Sequence, residues 1–283
     1  MADPNPMIND VRVPRLLYGT AWKEERTQAL TELALQQGFR GIDTANQRRH
    51  YDETGVGRGI RASLQDGIVT REELFLQTKF TFRSGQDHRL PYDPAAAIAA
   101  QVQQSFDSSL EHLGVTVIDS YVLHGPSQSS GLGSDDWEAW RAMEEIFDSE
   151  RVRLLGVSNV NFEQLRLLYE RARVKPRFVQ NRCFAARSWD RRIREFCAAN
   201  DIIYQGFSLL TANQAVLNNP LLSAIARRHG RTVPQVVFRF ALQIGILPMT
   251  GTTSIEHMRE DLEVFQFRLD DEELEQIERA GET

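Results

Sequence analysis

The sequence predicts an α/β fold, a (β/α)8 barrel of eight parallel strands ringed by helices. Three observations predict it. Short apolar runs alternate with longer stretches whose apolar residues recur every three or four positions, a strand-then-helix rhythm. The rhythm repeats eight times along the chain, and eight such units in about 250 residues is the size of a closed TIM barrel. An open doubly wound sheet would show a glycine-rich turn after its first strand, and none follows residues 16–18. A single domain over residues 1–283 is therefore expected.

In order, the strands are expected at residues 16–18, 41–43, 74–79, 117–124, 152–158, 178–182, 202–207 and 245–249. Between them, patterns such as Ile98, Val102, Phe106, Leu110 and Leu113, or Phe162, Leu165, Leu168 and Tyr169, give helices with one apolar face. The longest unassigned stretches, residues 81–93 and 125–136, each follow a strand directly. Loops of that length within a compact domain are often functional. GVGRG at 55–59 follows an acidic turn rather than a strand, so its glycines are read as permitting close packing, not as binding a dinucleotide. Trp137 and Trp140, three apart on a helix, read as core or rim.

Composition narrows the function. The net charge of −6 comes from interspersed acids and bases, so no basic face points to nucleic acid or an anionic membrane. Cys183 and Cys197 stand in no metal-ligand spacing, and so few thiols suit a reduced, intracellular protein. The opening MADPNPMINDVRVPR lacks the basic-then-apolar order of a signal peptide. No segment approaches the roughly 18 apolar residues of a membrane span, and a cytoplasmic location is expected.

In a parallel barrel the C-terminal strand ends converge on one face, and the loops after them build the site. Here those ends carry Asp43, Lys79, His124, Ser158 with Asn159, Asn181, Phe207, and residues 249–252. An acid, a lysine, a histidine and two amides ending apolar strands do not suit core packing, because an unpaired buried charge costs several kcal/mol. They are expected to pair with one another or with a ligand. A phenol beside a lysine that is itself paired to a carboxylate makes a proton donor, since the ammonium favours phenolate and lowers a tyrosine pKa normally near 10. Asp43, Lys79 and Tyr51 have the residue types for this, and His124 is suited to holding a carbonyl oxygen. A metal-dependent hydrolase would need clustered His and carboxylate ligands at strand ends, and only Asp43 and His124 are available, so no metal is expected.

The chain also resembles the aldo-keto reductases. The motifs are GIDTANQRRHYDETGVG, then TK, LH before GP, GVSN and an amide-bearing strand, in the family's order from Gly19 to about Phe267. The resemblance implies a barrel without a Rossmann domain, an extended nicotinamide cofactor across its C-terminal face, and a small-molecule carbonyl substrate. It carries the catalytic set to Asp43, Tyr51, Lys79 and His124. It assigns Ser158, Asn159 and Asn181 to the carboxamide, Phe207 to stacking on the nicotinamide, and Ser208 to the pyrophosphate. Thr250 and Thr252 match hydroxyls near the adenosine phosphate, and Glu260 and Asp261 match polar positions near the adenine. The alternative function is a cofactor-binding regulatory barrel without turnover.

Three departures from the family pattern stand out. Tyr51 lies eight residues after Asp43, a longer loop than common members carry. Counting back from Val56 and Gly57 puts His50 in the usual tyrosine place; Tyr51 is preferred as the acid, and His50 is read as shaping the substrate site. Met249 stands where a lysine usually grips the 2′-phosphate of NADPH, and His257 is nearest to the usual arginine. With Arg259 close enough to compensate, NADPH is favoured over NADH. No long final loop is evident, so an open pocket is expected, with selectivity falling to Trp22, residues 80–92 and the loop after His124.

Overall fold

The computed structural model describes residues 7–281. Eight parallel strands close a barrel: β3 (Leu17–Gly19), β4 (Gly41–Asp43), β5 (Phe75–Phe80), β6 (Ile118–Leu123), β7 (Val152–Ser158), β8 (Phe178–Arg182), β9 (Ile203–Phe207) and β10 (Ile246–Thr250), which pairs with both β9 and β3. All eight expected strands are present, within a residue or two at each end. A short antiparallel hairpin, β1 (Met7–Ile8) and β2 (Val11–Arg12), precedes them and has no counterpart in the sequence reading. Its Ile8 and Val11, with Val13, pack on Leu17, Phe75, Leu154, Phe178 and Leu247. Leu17, Phe75 and Phe178 begin their strands, so the hairpin closes the N-terminal end of the barrel.

The helices are α1 (Thr27–Gln37), α2 (Glu53–Gln65), α3 (Ile98–Leu113), α4 (Ser134–Asp148), α5 (Phe162–Arg171), α6 (Arg191–Ala199), α7 (Gln214–Leu217), α8 (Pro220–His229), α9 (Val233–Gln243), α10 (Ile255–Leu262) and α11 (Asp271–Ala280). None is long and apolar enough to cross a membrane. Asp52 caps α2 by accepting from the Gly55 amide at 2.9 Å. Gly57 lets that helix lie against α3: a Cβ there would stand 1.9 Å from the His112 carbonyl oxygen. Trp140 is buried in the core and Trp137 packs at its edge.

The middle of the barrel is polar. Gln77 and Gln205 are fully buried, as is Ser120, and Gln180 nearly so. Register puts Asp43 beside Gln77, Gln77 beside Ser120, and Gln180 beside Gln205. Their side chains meet inside: Gln205 Oε1 accepts from Gln77 Nε2 at 2.8 Å and Gln180 Nε2 at 2.9 Å, Gln205 Nε2 donates to Gln77 Oε1 at 3.0 Å, and Ser120 Oγ donates to the same oxygen at 2.9 Å. Every amide finds a partner, as buried polar groups must. The layer supports the residues above it.

Candidate active site

Asp43 and Lys79 sit just above the glutamine layer, 1% and 0% exposed. Lys79 Nζ donates to both carboxylate oxygens at 2.7 Å and to the Thr44 carbonyl at 2.8 Å. Gln77 and Gln180 also donate to Asp43 Oδ1, at 2.7 and 3.0 Å. Desolvation pulls the Lys79 pKa below its ordinary value, opposed by the Asp43 charge and its hydrogen bonds.

The loop from Thr44 to Asp52 is folded by side-chain links to the loop after β5. Gln47 Nε2 donates to the Gly85 carbonyl at 2.7 Å, and Gln86 Nε2 donates to that of Asn46 at 2.8 Å. The amides of His50 and Tyr51 both donate to the Gln47 carbonyl, at 3.2 and 3.0 Å. This tight return sends the two side chains apart. Tyr51 goes inward, its ring centre 5.4 Å from Lys79 Nζ and 6.0 Å, edge-on, from that of His124. His50 turns to Trp22: the ring centres lie 3.9 Å apart, tilted by 36°, and the Trp22 amide donates to the His50 carbonyl at 2.7 Å. Trp22, 66% exposed, holds a left-handed φ of 59°.

Electrostatics correct one expectation. The Tyr51 pKa is raised, not lowered: desolvation disfavours the phenolate, and the Asp43 charge adds to the effect. Because Lys79 is bonded to both oxygens of its carboxylate, the pair projects little net positive field onto the resting phenol. His124 shifts the opposite way, down to about 3, through desolvation and the nearby positive charges of Lys79 and His50. It is neutral across the physiological range, and its Nδ1 lies 2.7 Å from Thr81 Oγ1.

A cleft of about 1530 Å³ opens over these groups. Trp22, His50, Tyr51 and His124 line it after β3 to β6, and every cofactor residue expected from the sequence lines it after β7 to β10. Lys79 lies beneath the lining. Asn159, at φ 55°, donates to the His124 carbonyl at 2.7 Å and to Ser158 Oγ at 3.2 Å; Ser158 Oγ donates to the Gln180 carbonyl at 2.6 Å. Asn181 spends its amide on the Val160 backbone, donating at 2.9 Å and accepting at 3.1 Å, with a longer contact of 3.4 Å to Asp190. The Arg182 guanidinium lies over the Phe207 ring at 5.7 Å, and Ser208 holds a φ of 57°. Thr250 Oγ1 donates to Asp261 at 2.7 Å, and Thr252 Oγ1 lies 3.5 Å from His257 Nδ1. Desolvation lifts the Asp261 carboxyl to about 6, against the Thr250 hydrogen bond.

Two findings differ from, or add to, the sequence reading here. Arg259, expected to offset the missing phosphate contacts, donates instead to Gln37 on α1 at 2.9 Å and does not line the cleft. Lys23, which the sequence reading passed over, is 6% exposed, lines the cleft, and donates its ammonium to the Gly251 carbonyl. Its signal in TAWKEE was only its place beside Trp22.

Both long loops face the cleft, through Thr81, Phe82, Ser84 and Gly85 and through residues 126–129. Asp136 anchors the second by accepting from the Ser127 amide at 2.6 Å and the Gly133 amide at 2.8 Å.

This is a (β/α)8 barrel with Asp43, Tyr51, Lys79 and His124 gathered at the C-terminal end of its strands. Within that class the chain belongs to the aldo/keto reductase family, whose model matches residues 16–282, and it is an oxidoreductase of that family. It is 31% identical over 279 residues to a 9,11-endoperoxide prostaglandin H2 reductase of Trypanosoma cruzi, covering 97% of this chain and 90% of the relative. It is 30% identical over 281 residues to a glyoxal reductase of Bacillus subtilis, covering 98% and 92%. Among solved structures, an aldo-keto reductase crystallised with NADPH superposes with a TM-score of 0.83 at 26% identity, over 99% of this chain and 88% of that one. MGS-M4, an aldo-keto reductase from a deep-sea metagenome of the Medee basin, also gives 0.83 at 26% identity, over 97% and 93%.

Proposed function

We propose that the protein reduces aldehydes or ketones to alcohols with a nicotinamide cofactor, Tyr51 serving as proton donor. One observation carries the reading: the Tyr51 ring lies over the Lys79 ammonium, which is bonded to both oxygens of Asp43, with neutral His124 edge-on beside it. When bound, the nicotinamide supplies the hydride. Tyr51 enters the reaction in the form an acid needs, protonated, and gives its proton to the carbonyl oxygen as charge develops there. The phenolate left behind then faces Lys79. His124 holds the same oxygen by a hydrogen bond from its ring.

The cleft exceeds the roughly 300–1,000 Å³ of an ordinary small-ligand pocket, which suits a dinucleotide beside a small substrate. Ser158, Asn159 and Asn181 would meet the carboxamide, and Phe207 offers an aromatic face for stacking. Ser208, with Lys23 as a cation, suits the pyrophosphate, and Thr250, Thr252, His257, Glu260 and Asp261 suit the adenosine. NADPH is the proposed cofactor, in line with the NADPH-bound relative. NADH is the alternative, because Met249 and His257 replace the usual phosphate-binding cations and Arg259 turns away. Trp22 and His50 form the proposed substrate wall, and the protein is proposed to act in the cytoplasm.

The test is a panel of carbonyl compounds run with NADPH and NADH in parallel. The reading expects cofactor absorbance to fall only when carbonyl is present, and Tyr51→Phe and Lys79→Met to abolish turnover while cofactor still binds. Tight cofactor binding without turnover on any carbonyl would favour a regulatory barrel. An active Tyr51→Phe with an inactive His50→Ala would move the proton donor to His50.

A further inference from the structure

We propose that Thr81 is a positioning residue that fixes the single proton of His124 on Nε2, so the imidazole meets a carbonyl oxygen only as a hydrogen-bond donor. The inference rests on the reaction proposed above. Its chemistry begins with the strand ends: Phe80 and Leu123 are register partners on β5 and β6, so the next residues, Thr81 and His124, emerge side by side. The His124 amide donates to the Phe80 carbonyl at 2.9 Å, which fixes the ring's origin. Thr81 Oγ1 then stands 2.7 Å from Nδ1.

The threonine rotamer is held as well. Its methyl faces Gly85 so closely that a Cβ there would come within 2.7 Å of Thr81 Cγ2. A β-branched side chain is stiff about χ1, so a methyl lodged against Gly85 leaves the hydroxyl aimed at the histidine. Thr81 is 6% exposed, and among the described residues its hydroxyl has no other hydrogen-bond partner.

Proton counting then selects one arrangement. A neutral imidazole carries one proton and the hydroxyl carries one. If Nδ1–H donated to Thr81, the hydroxyl proton would be left without a partner among the described residues, and the Nε2 lone pair would face the cleft and repel a carbonyl oxygen. If Thr81 donates to Nδ1, both groups are satisfied and Nε2–H faces the cleft. Desolvation and the charge of Lys79 keep the ring neutral, so no second proton intervenes. Serine preserves this hydroxyl; valine preserves the shape and removes it.

The experiment is nitrogen-15 NMR of uniformly labelled full-length protein, with His124 assigned among six histidines by its loss in His124→Gln. The proposal expects His124 to show an unprotonated, hydrogen-bond-accepting Nδ1 and a protonated Nε2, and the Nδ1 signal to lose its hydrogen-bond shift in Thr81→Val. A protonated Nδ1 in the unaltered protein overturns it. In kinetics, Thr81→Val should lower kcat about ten- to hundred-fold, the scale of a misplaced catalytic group, with cofactor Kd unchanged and Thr81→Ser restoring the rate. A fully active Thr81→Val overturns the proposal, as does a Thr81→Ser no better than Thr81→Val. If the unaltered protein reduces no carbonyl, the reaction assigned above fails, while the spectrum still decides the tautomer.

Discussion

The neutral His124 makes the protein's stability depend on acid in a way that can be isolated. Its pKa drops from 6.5 to about 3 on folding, through desolvation first and then the charges of Lys79 and His50. Between those values the unfolded chain binds a proton that the folded chain refuses. The contribution is therefore complete above pH 6.5, falls as the pH drops, and is exhausted near 3. One unit of pKa shift corresponds to about 1.4 kcal/mol, so His124 alone costs up to about 1.4 kcal/mol per pH unit in that window. Acidification from pH 6.5 to 4.5 should thus remove up to about 3 kcal/mol from this residue alone. Carboxylates titrate over the same range, so the comparison is with His124→Gln, which keeps an acceptor for Thr81 and has nothing to protonate. Urea unfolding followed by circular dichroism at pH 6.5, 5.5 and 4.5 should show the unaltered protein losing stability faster than the variant by about that amount per unit. Parallel pH slopes for the two proteins would refute the reasoning, since they would mean that folding does not exclude the proton.

Two other perturbations test the packing and the ion pair. Gly57→Ala drives a methyl to 1.9 Å from a backbone oxygen of α3, so α2 must move away; a cost of about 1–3 kcal/mol or more is expected, read as a lowered Tm in calorimetry and contradicted by an unchanged one. Asp43→Ala strands the Lys79 ammonium in the barrel and should cost about 3–5 kcal/mol, whereas Asp43→Leu combined with Lys79→Met should recover much of that in urea midpoints. A double variant less stable than Asp43→Ala would count against a buried-charge penalty.

The strands were legible because buried runs such as 118–123 and 152–158 stop abruptly at polar residues. The hairpin of β1 and β2 was not, since two-residue strands leave no periodic trace. Asp43, Lys79 and His124 stood out because charge at the end of an apolar strand needs a partner. The choice between His50 and Tyr51 was harder: links from Gln47 to Gly85 and from Gln86 to Asn46, about forty residues apart, set the loop's path. The Tyr51 shift runs opposite to expectation because the pairing of Lys79 with Asp43 was read without the desolvation of a buried phenol, which, with the Asp43 charge, disfavours the phenolate. Gln77, Gln180 and Gln205 look in the sequence like unremarkable polar positions on separate strands; only closure of the barrel brings them together.

That closure has an evolutionary price. Replacing Gln205 alone with leucine leaves the buried side-chain amides of Gln77 and Gln180 each short of a partner. Replacing all three at once removes the amides' need for one another, and takes two donors from Asp43 and the acceptor from Ser120 as well. A chain with an aliphatic waist and this one are therefore two separate solutions, and single substitutions lead from one to the other only through less stable intermediates. Redesign of this interior must treat the three amides as one unit.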